Sequence, residues 1–284
     1  MKVLVTGAAG FIGSHLSDYL IKKGCTVYGI DNCLTGDKLN LHPKVKFTKI
    51  DIRDKVRLDH LFKKTGKLDY VFHLAAIART GWTVTDPTLA NDINITGTLN
   101  VLLAAREAMP KKVIFASSNI VYAKNTPYWV TKKTGELYMR VFDKLYHLPT
   151  VSLRLSNAYG SLRQSEKGPD INCIASMRKS KQENGFVWVS GDGKQSRDFT
   201  HVLDIAEAFL KAAKSDVHGA EIDICTGINT TINQIAKQFK CPIKYVDERK
   251  GDIKHIYQNP QMAGKLLGFK AKRKLEDHIR VYLK

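Results

Sequence analysis

No stretch of this 284-residue sequence approaches the roughly 18 consecutive apolar residues that a membrane-spanning helix requires. No membrane span is therefore expected. At the start of the chain only Val3 to Val5 form an apolar run before a glycine turn, which is too short for the core of a secretion signal. Cysteine is sparse: Cys25, Cys33, Cys173, Cys225 and Cys241 are odd in number, widely spaced and never in a C-x-x-C pair. This excludes a disulfide framework, gives no metal site, and with the missing leader points to the reducing cytoplasm. Self-similarity at a period of about 20 to 50 residues is also lacking, so the chain is not a solenoid.

Acidic residues are few, 27 Asp+Glu against 45 Lys+Arg, and the resulting formal charge of +18 points first to nucleic acid. The excess is not a tail, however. Residues 1 to 142 carry 21 basic and 11 acidic groups, and residues 143 to 284 carry 24 and 16. Only Gly264 to Lys284 lean further, with seven basic and two acidic groups, and there Leu266, Leu267, Phe269, Leu275, Ile279 and Tyr282 recur at helical spacing. That segment reads as an amphipathic helix with a solvated basic face, and no nucleic-acid partner is expected.

What is present is an alternation. Lys2 to Val5, Thr26 to Ile30, Val45 to Lys49, Tyr70 to His73, Lys112 to Ala116 and Thr150 to Arg154 are β-branched runs that read as strands. Phe11 to Lys23, Lys55 to Lys64, Pro87 to Met109 and Tyr128 to Leu145 lie between them and are long enough for crossover helices. Strands alternating with helices imply an α/β fold, a doubly wound parallel sheet of the Rossmann type. After Asn157 the texture becomes charged and irregular, although Phe199 to Ala213 and Glu221 to Thr226 again look like a helix and a strand. The division expected is a nucleotide-binding domain from residues 1–156 and about 199–227, with a smaller substrate-binding domain from about 157–198 and 228–284.

Directly after the first strand stands Thr6-Gly7-Ala8-Ala9-Gly10-Phe11-Ile12-Gly13. Gly7 and Gly10 permit a tight turn and close approach to a pyrophosphate, Gly13 lets the helix pack on the strand, and a helix N-terminus attracts negative charge. Tight strand-to-helix turns also need glycine for purely steric reasons. Asp31, ending the second strand, is placed to accept hydrogen bonds from an adenosine ribose and to repel a 2′-phosphate, which favours NAD over NADP. Asp51-Ile52 follows the third strand, where a carboxylate meets an adenine or else caps a helix.

Tyr128 and Lys132 stand at i and i+4, one turn apart on one helix face. A tyrosine with its ordinary pKa of about 10 needs lowering by about three units, roughly 4 kcal/mol, to act as a base near neutrality. One ammonium at about 4 Å in an effective dielectric of about 20 supplies about that much. Ser118 ends the preceding strand and can bond the same substrate hydroxyl. A surface tyrosine beside a surface lysine is the bland alternative for Tyr128 and Lys132. Their place past the carboxyl ends of the strands argues for catalysis.

With these residues in view, the sequence resembles the extended short-chain dehydrogenase/reductase family, specifically its nucleotide-sugar epimerases and dehydratases. The resemblance runs through His73-Leu74-Ala75-Ala76, Asn94-Ile95-Thr96-Gly97-Thr98, Ser117-Ser118, Arg154 to Gly160, Gly191 to Phe199, Thr226-Gly227 and Arg249 to Asp252. It implies NAD bound by the glycine turn with Phe11 and Ile12, by Asp31, Asn32, Asp51 and Ile52, and by Leu74, Ala75, Ala76, Tyr128 and Lys132, with Asn94 behind the site. Asn157, Asn172, Arg197, Arg249 and Asp252 would contact a nucleotide sugar, a UDP-sugar being favoured, with guanidinium forks suited to its diphosphate. A homodimer is expected by the same resemblance, through the helices Pro87 to Met109 and Tyr128 to Leu145.

Where dehydratases of the family carry an Asp-Glu pair, this sequence has Asn119 and Ile120. That argues against dehydration and leaves 4-epimerisation as the simplest chemistry, with a UDP-glucuronate decarboxylase as the related alternative. Only Ala123 to Pro127 separate Tyr122 from Tyr128, so a loop over the site is trimmed; Ala123, Ser161 and Asn259 replace a usual glycine, proline and aspartate. Ile256 occupies a position where a bulkier tyrosine excludes N-acetyl sugars in some relatives, which hints that N-acetylhexosamines fit. The reading from another class is a non-catalytic dinucleotide sensor, which has no need of Ser118, Tyr128 and Lys132 together.

Overall fold

The computed structural model describes residues 1–164, 171–248 and 253–283. In chain order its strands are β1 (Lys2–Thr6), β2 (Thr26–Asp31), β3 (Lys46–Lys49), β4 (Tyr70–His73), β5 (Lys112–Ser118), β6 (Thr150–Leu155), β7 (Asn157–Tyr159), β8 (Val187–Ser190), β9 (Ser196–His201), β10 (Ala220–Ile224), β11 (Asn229–Thr231) and β12 (Ile243–Val246). Its α-helices are α1 (Phe11–Lys22), α2 (Lys55–Thr65), α3 (Thr80–Thr85), α4 (Pro87–Asn91), α5 (Gly97–Ala108), α6 (Pro127–Leu145), α7 (Cys173–Asn184), α8 (Val202–Lys214), α9 (Ile232–Gln238), α10 (Gln261–Leu267) and α11 (Leu275–His278).

Seven strands form one parallel sheet in the order β10-β6-β5-β4-β1-β2-β3, so the strand order reverses beside β1 and leaves a crevice there. Alternation decides which face each residue serves. Val3 and Val5 join Leu16, Leu20 and Phe209 on one face, whereas Leu4 joins Leu58, Leu102 and Met139 on the other. The sheet edge at β3 exposes Lys46 and Lys49, charges that discourage further strand pairing. A third cluster around Tyr159, Phe199, Phe239 and Tyr282 underlies the smaller sheets β11-β9-β7 and β12-β8.

Three expectations are corrected. Pro87 to Met109 is not one helix: α4 passes through a π-helical turn, Asp92–Thr96, before α5 begins, and this extra residue in the turn carries Asn94 inward. Phe199 to His201 complete β9 rather than starting α8, because β7 pairs with them. The C-terminal segment is two short pieces, α10 and α11, not one amphipathic helix. Gly268, at φ 56°, ends α10 in the left-handed region, so Leu267 and Phe269 pack on the main sheet while Leu275 and Ile279 reach the third cluster.

Candidate active site

The turn after β1 is closed by its own backbone. Gly10 donates to the Gly7 carbonyl at 3.1 Å, and Thr6 Oγ1 accepts the amides of Leu74 and Ala75 at 3.1 Å each. Gly7 has φ 72° and a Cβ there would lie 2.8 Å from the Ala75 nitrogen; one on Gly13 would lie 2.0 Å from the Gly7 carbonyl oxygen. No larger residue fits at either position. Gly10 caps α1 without a side chain, so the first-turn amides of Phe11 and Ile12 have no intrahelical partner and no side-chain cap. The Phe11 ring itself packs edge-on to His15, and Ile12 packs against the core.

A cleft opens beside this turn, lined by Gly7, Gly10, Asp31, Asn32, Ile52, Leu74, Ala75 and Ala76 among the residues expected there. Leu34, Thr35, Ile50, Ile77 and Ile93 also line it and were not anticipated. Both Asp31 carboxylate oxygens are oriented by amides, Ala9 N–H to Oδ2 at 3.0 Å and Cys33 N–H to Oδ1 at 2.7 Å. A carboxylate has about four lone-pair sites, so this orientation leaves acceptor capacity for vicinal hydroxyls. The glycine cradle, the uncapped helix start and the oriented Asp31 fit a dinucleotide.

Two of the expected residues are held by the chain itself. Ile50 and Ile52 line the cleft, but the Asp51 carboxylate between them is gripped by Arg53, Nε to Oδ1 at 3.0 Å and Nη2 to Oδ2 at 2.9 Å, with Asn32 Nδ2 at 2.9 Å. The Arg53 bonds hold its carboxyl down to about 2. The cap of α2 is Asp54. Asn94 spends its amide on the chain, bonding Ile77 N and O at 2.8 and 3.1 Å and Thr131 Oγ1 at 3.1 Å, which makes it a strut between the cleft wall and α6.

Ser118 ends β5, Thr126 caps α6, and Pro127 at its first turn starts the helix so that Tyr128 and Lys132 both turn inward. Burial pushes the Tyr128 phenol up to about 12, and the neighbouring Ser118 works against that rise. Lys132 donates from Nζ to the Ala116 carbonyl at 2.7 Å and stands 5.9 Å from the Tyr128 ring centroid. Burial pushes its ammonium down to about 7, against the pull of Glu136. The expected lowering of Tyr128 by Lys132 alone is therefore corrected: desolvation of both groups outweighs it in the protein by itself. His73 is fully buried between Thr6 Oγ1 at 2.7 Å and Thr98 Oγ1 at 2.9 Å, and burial holds it neutral, down to about 3.

On the other side, Leu155 pairs with Ser118 across β5 and β6, so Asn157 lies two residues past the end of the catalytic strand. It begins β7 opposite Phe199 of β9, and Arg197 stands two residues earlier in β9. Arg197 donates to the carbonyls of Ser196 and Lys254 at 2.9 and 3.3 Å. Asn172 is the exposed cap of α7 without a side-chain capping bond. Arg249 and Asp252 lie outside the described residues. Ile256 is buried. Asp198, within the Gly191 to Phe199 stretch, accepts the amides of Thr226, Gly227 and Ile228 on its carboxylate at 2.7 to 3.1 Å, a role that only the fold makes visible. No cluster of metal-ligating side chains occurs among the described residues, and none of their helices is long and apolar enough to cross a membrane.

A seven-stranded parallel sheet with a glycine turn after its first strand, Ser118 at the end of β5, and Tyr128 and Lys132 buried on α6 define an extended short-chain dehydrogenase/reductase. Residues 3–225 match the NAD dependent epimerase/dehydratase family, and the chain belongs to it. It is 34% identical to a putative UDP-glucose 4-epimerase of Methanocaldococcus jannaschii over 98% of this chain and 96% of that one. It superposes on a Thermotoga maritima UDP-glucose 4-epimerase solved with UDP-glucose, with TM-score 0.94 and 31% identity over 100% and 97% of the two chains. A Methanobrevibacter ruminantium UDP-N-acetylglucosamine 4-epimerase in complex with UDP-N-acetylmuramic acid gives TM-score 0.91 and 34% identity over 99% and 96%.

Proposed function

We propose that this protein is an NAD-dependent 4-epimerase of a UDP-sugar, acting through a transient 4-keto sugar. The observation that carries the reading is a half-buried Ser118 beside the buried Tyr128, followed, at the positions where a dehydratase needs an acid and a base, by buried Asn119 and Ile120. NAD, when bound, supplies a reversible oxidant for C4 of the sugar. Gly7, Gly10, Gly13 and the first-turn amides of α1 hold its pyrophosphate, Asp31 its adenosine ribose, and the Leu74 to Ala76 stretch one wall.

Tyr128 accepts the proton of the 4-hydroxyl on its phenolic oxygen and returns it to O4 after the keto sugar has turned over. Ser118 holds the hydroxyl in line by a shared hydrogen bond, and the Lys132 ammonium favours the phenolate electrostatically. Asn157, Asn172 and Arg197, with Arg249 and Asp252, hold the sugar and its diphosphate. In this reading residues 1–156 and about 199–227 serve NAD and the remainder serves the nucleotide sugar. The outer face of α6 carries Leu137, Val141 and Leu145 at 45% exposure or more, an apolar stripe suited to a second copy of the chain.

Incubating the protein with UDP-, dTDP- and GDP-sugars and following the products by NMR tests the assignment. The expected product is a 4-epimer from a UDP-glucose-type or N-acetylated substrate. A 4-keto-6-deoxy sugar would contradict the reading taken from Asn119 and Ile120, and a decarboxylated pentose would move the assignment to the related decarboxylase.

A further inference from the structure

We propose that Glu136 is a positioning residue for the reaction, clamping α6 to the end of β5 and setting a counter-charge one helical step from Lys132. The inference rests on the roles given above to Tyr128 and Lys132.

Tyr128, Lys132 and Glu136 follow one another at four-residue intervals, so α6 presents them as one buried row with a rise of about 6 Å per step. Each meets one of the last three residues of β5. Tyr128 lies beside Ser118, Lys132 bonds the Ala116 carbonyl at 2.7 Å, and Glu136 Oε1 accepts the Ser117 hydroxyl at 2.8 Å. The Glu136 side chain is wholly inaccessible to solvent, and a buried carboxylate is expensive unless fully bonded. Here it is. Arg154 of β6 forks onto both oxygens, at 2.7 and 2.9 Å, and Lys133 donates at 3.0 Å.

The clamp extends outward. Arg154 Nη1 donates to the Tyr122 hydroxyl, which donates to Asp223 Oδ1, both at 2.9 Å; Asp223 Oδ2 takes the Asn259 amide at 3.0 Å. β5, α6 and β6 thus meet at one carboxylate, and Arg154 ties the Tyr122 turn to it. Burial pushes the Glu136 carboxyl up, but the bonds from Arg154 and Ser117 prevail and hold it below its ordinary range, so the residue is an anion. Its negative charge opposes the desolvation of Lys132. The other ionisable groups around this row are His73 of β4, held neutral by burial, and the cations Lys133 and Arg154, both spent on Glu136. Glu136 is the anion that raises Lys132.

Removing the charge while keeping the shape separates this role from simple packing. In Glu136→Gln the Lys132 titration, followed by 15Nζ NMR and assigned with Lys132→Met, is expected to fall by about one pH unit, the size of a nearby buried charge. The alkaline limb of kcat moves down with it, kcat drops about tenfold at pH 8, and KM for the nucleotide sugar stays within about twofold. Glu136→Asp, which keeps the charge, is expected to restore the Lys132 midpoint. Should Glu136→Gln fail to fold, Glu136→Asp with Ser117→Ala provides a milder loosening, expected to lower kcat with the midpoint held. Midpoints unchanged in Glu136→Gln, or a KM rise matching the fall in kcat, would overturn the inference. The NMR midpoint needs no turnover, so it stands or falls apart from the identity of the sugar.

Discussion

The two halves of the site are built by different means. On the nucleotide side, the turn after β1 is fixed within itself and to its immediate neighbours: Ala8 N–H meets the Ile30 carbonyl at 3.1 Å, Asp37 N–H meets the Ala9 carbonyl at 3.0 Å, and a Cβ on Gly36 would strike the Ala9 backbone at 2.9 Å. On the sugar side, position comes from distant pairings. Asn157 is set by β7 lying along β9, and the 226–228 loop is set by the single carboxylate of Asp198. One half is fixed mainly by steric close approach at its glycines, the other by strand pairing and a few polar bonds to one carboxylate. Damage to the first should abolish cofactor binding; damage to the second should loosen substrate while sparing the cofactor.

Tyr128 lies on the seam and offers the largest effect. Tyr128→Phe is expected to leave both halves assembled and to cut kcat by about a thousandfold, within the range of a lost general acid–base. Bound NAD measured by absorbance after denaturation should be unchanged, and turnover within tenfold of the parent would refute the assignment. Asp198→Ala comes next. It leaves the amides of Thr226, Gly227 and Ile228 without their acceptor, at a cost of about 1 kcal/mol or more, and is expected to raise KM for the nucleotide sugar with NAD content intact. Loss of NAD instead would erase the distinction between the halves.

Gly13→Ala is the mirror test. Its Cβ would collide with the Gly7 carbonyl at 2.0 Å, and the overpacking is expected to cost about 1–3 kcal/mol in a thermal melt and to strip NAD. Asp31→Ala should have the smallest effect, weakening NAD by about tenfold through one lost charged acceptor and narrowing the preference over NADP. Equal affinity of the unmutated protein for both cofactors would contradict the role of Asp31.

The same contrast governs what the sequence made legible. Gly7, Gly13 and Asp31 were readable because a tight turn and a strand end impose residue types at fixed spacing, and Tyr128 with Lys132 because a helix repeats every turn. The break of Pro87 to Met109 by a π-turn was invisible, since Asn94 gains its place only by bonding Ile77 and Thr131. Arg53 hid as an ordinary charged residue, and its grip on Asp51 is a two-residue backbone geometry with no periodic signature. At the C-terminus the apolar spacing was read correctly as burial but assigned to one helix, because Gly268 sends its two ends into different cores. Glu136 sat in plain view at the next helical step after Lys132, but its partner Arg154 comes from another strand and only the folded sheet brings them together.

The central claim is that the hydrogen at C4 leaves one face of the sugar and returns to the other within a single closed site. UDP-glucose carrying deuterium at C4 tests it directly, or UDP-N-acetylglucosamine so labelled if that is the sugar turned over. The 4-epimer is expected to retain the label at C4 when followed to equilibrium by NMR, with none in the solvent. Epimer formed with its C4 deuterium exchanged for solvent hydrogen would contradict the account.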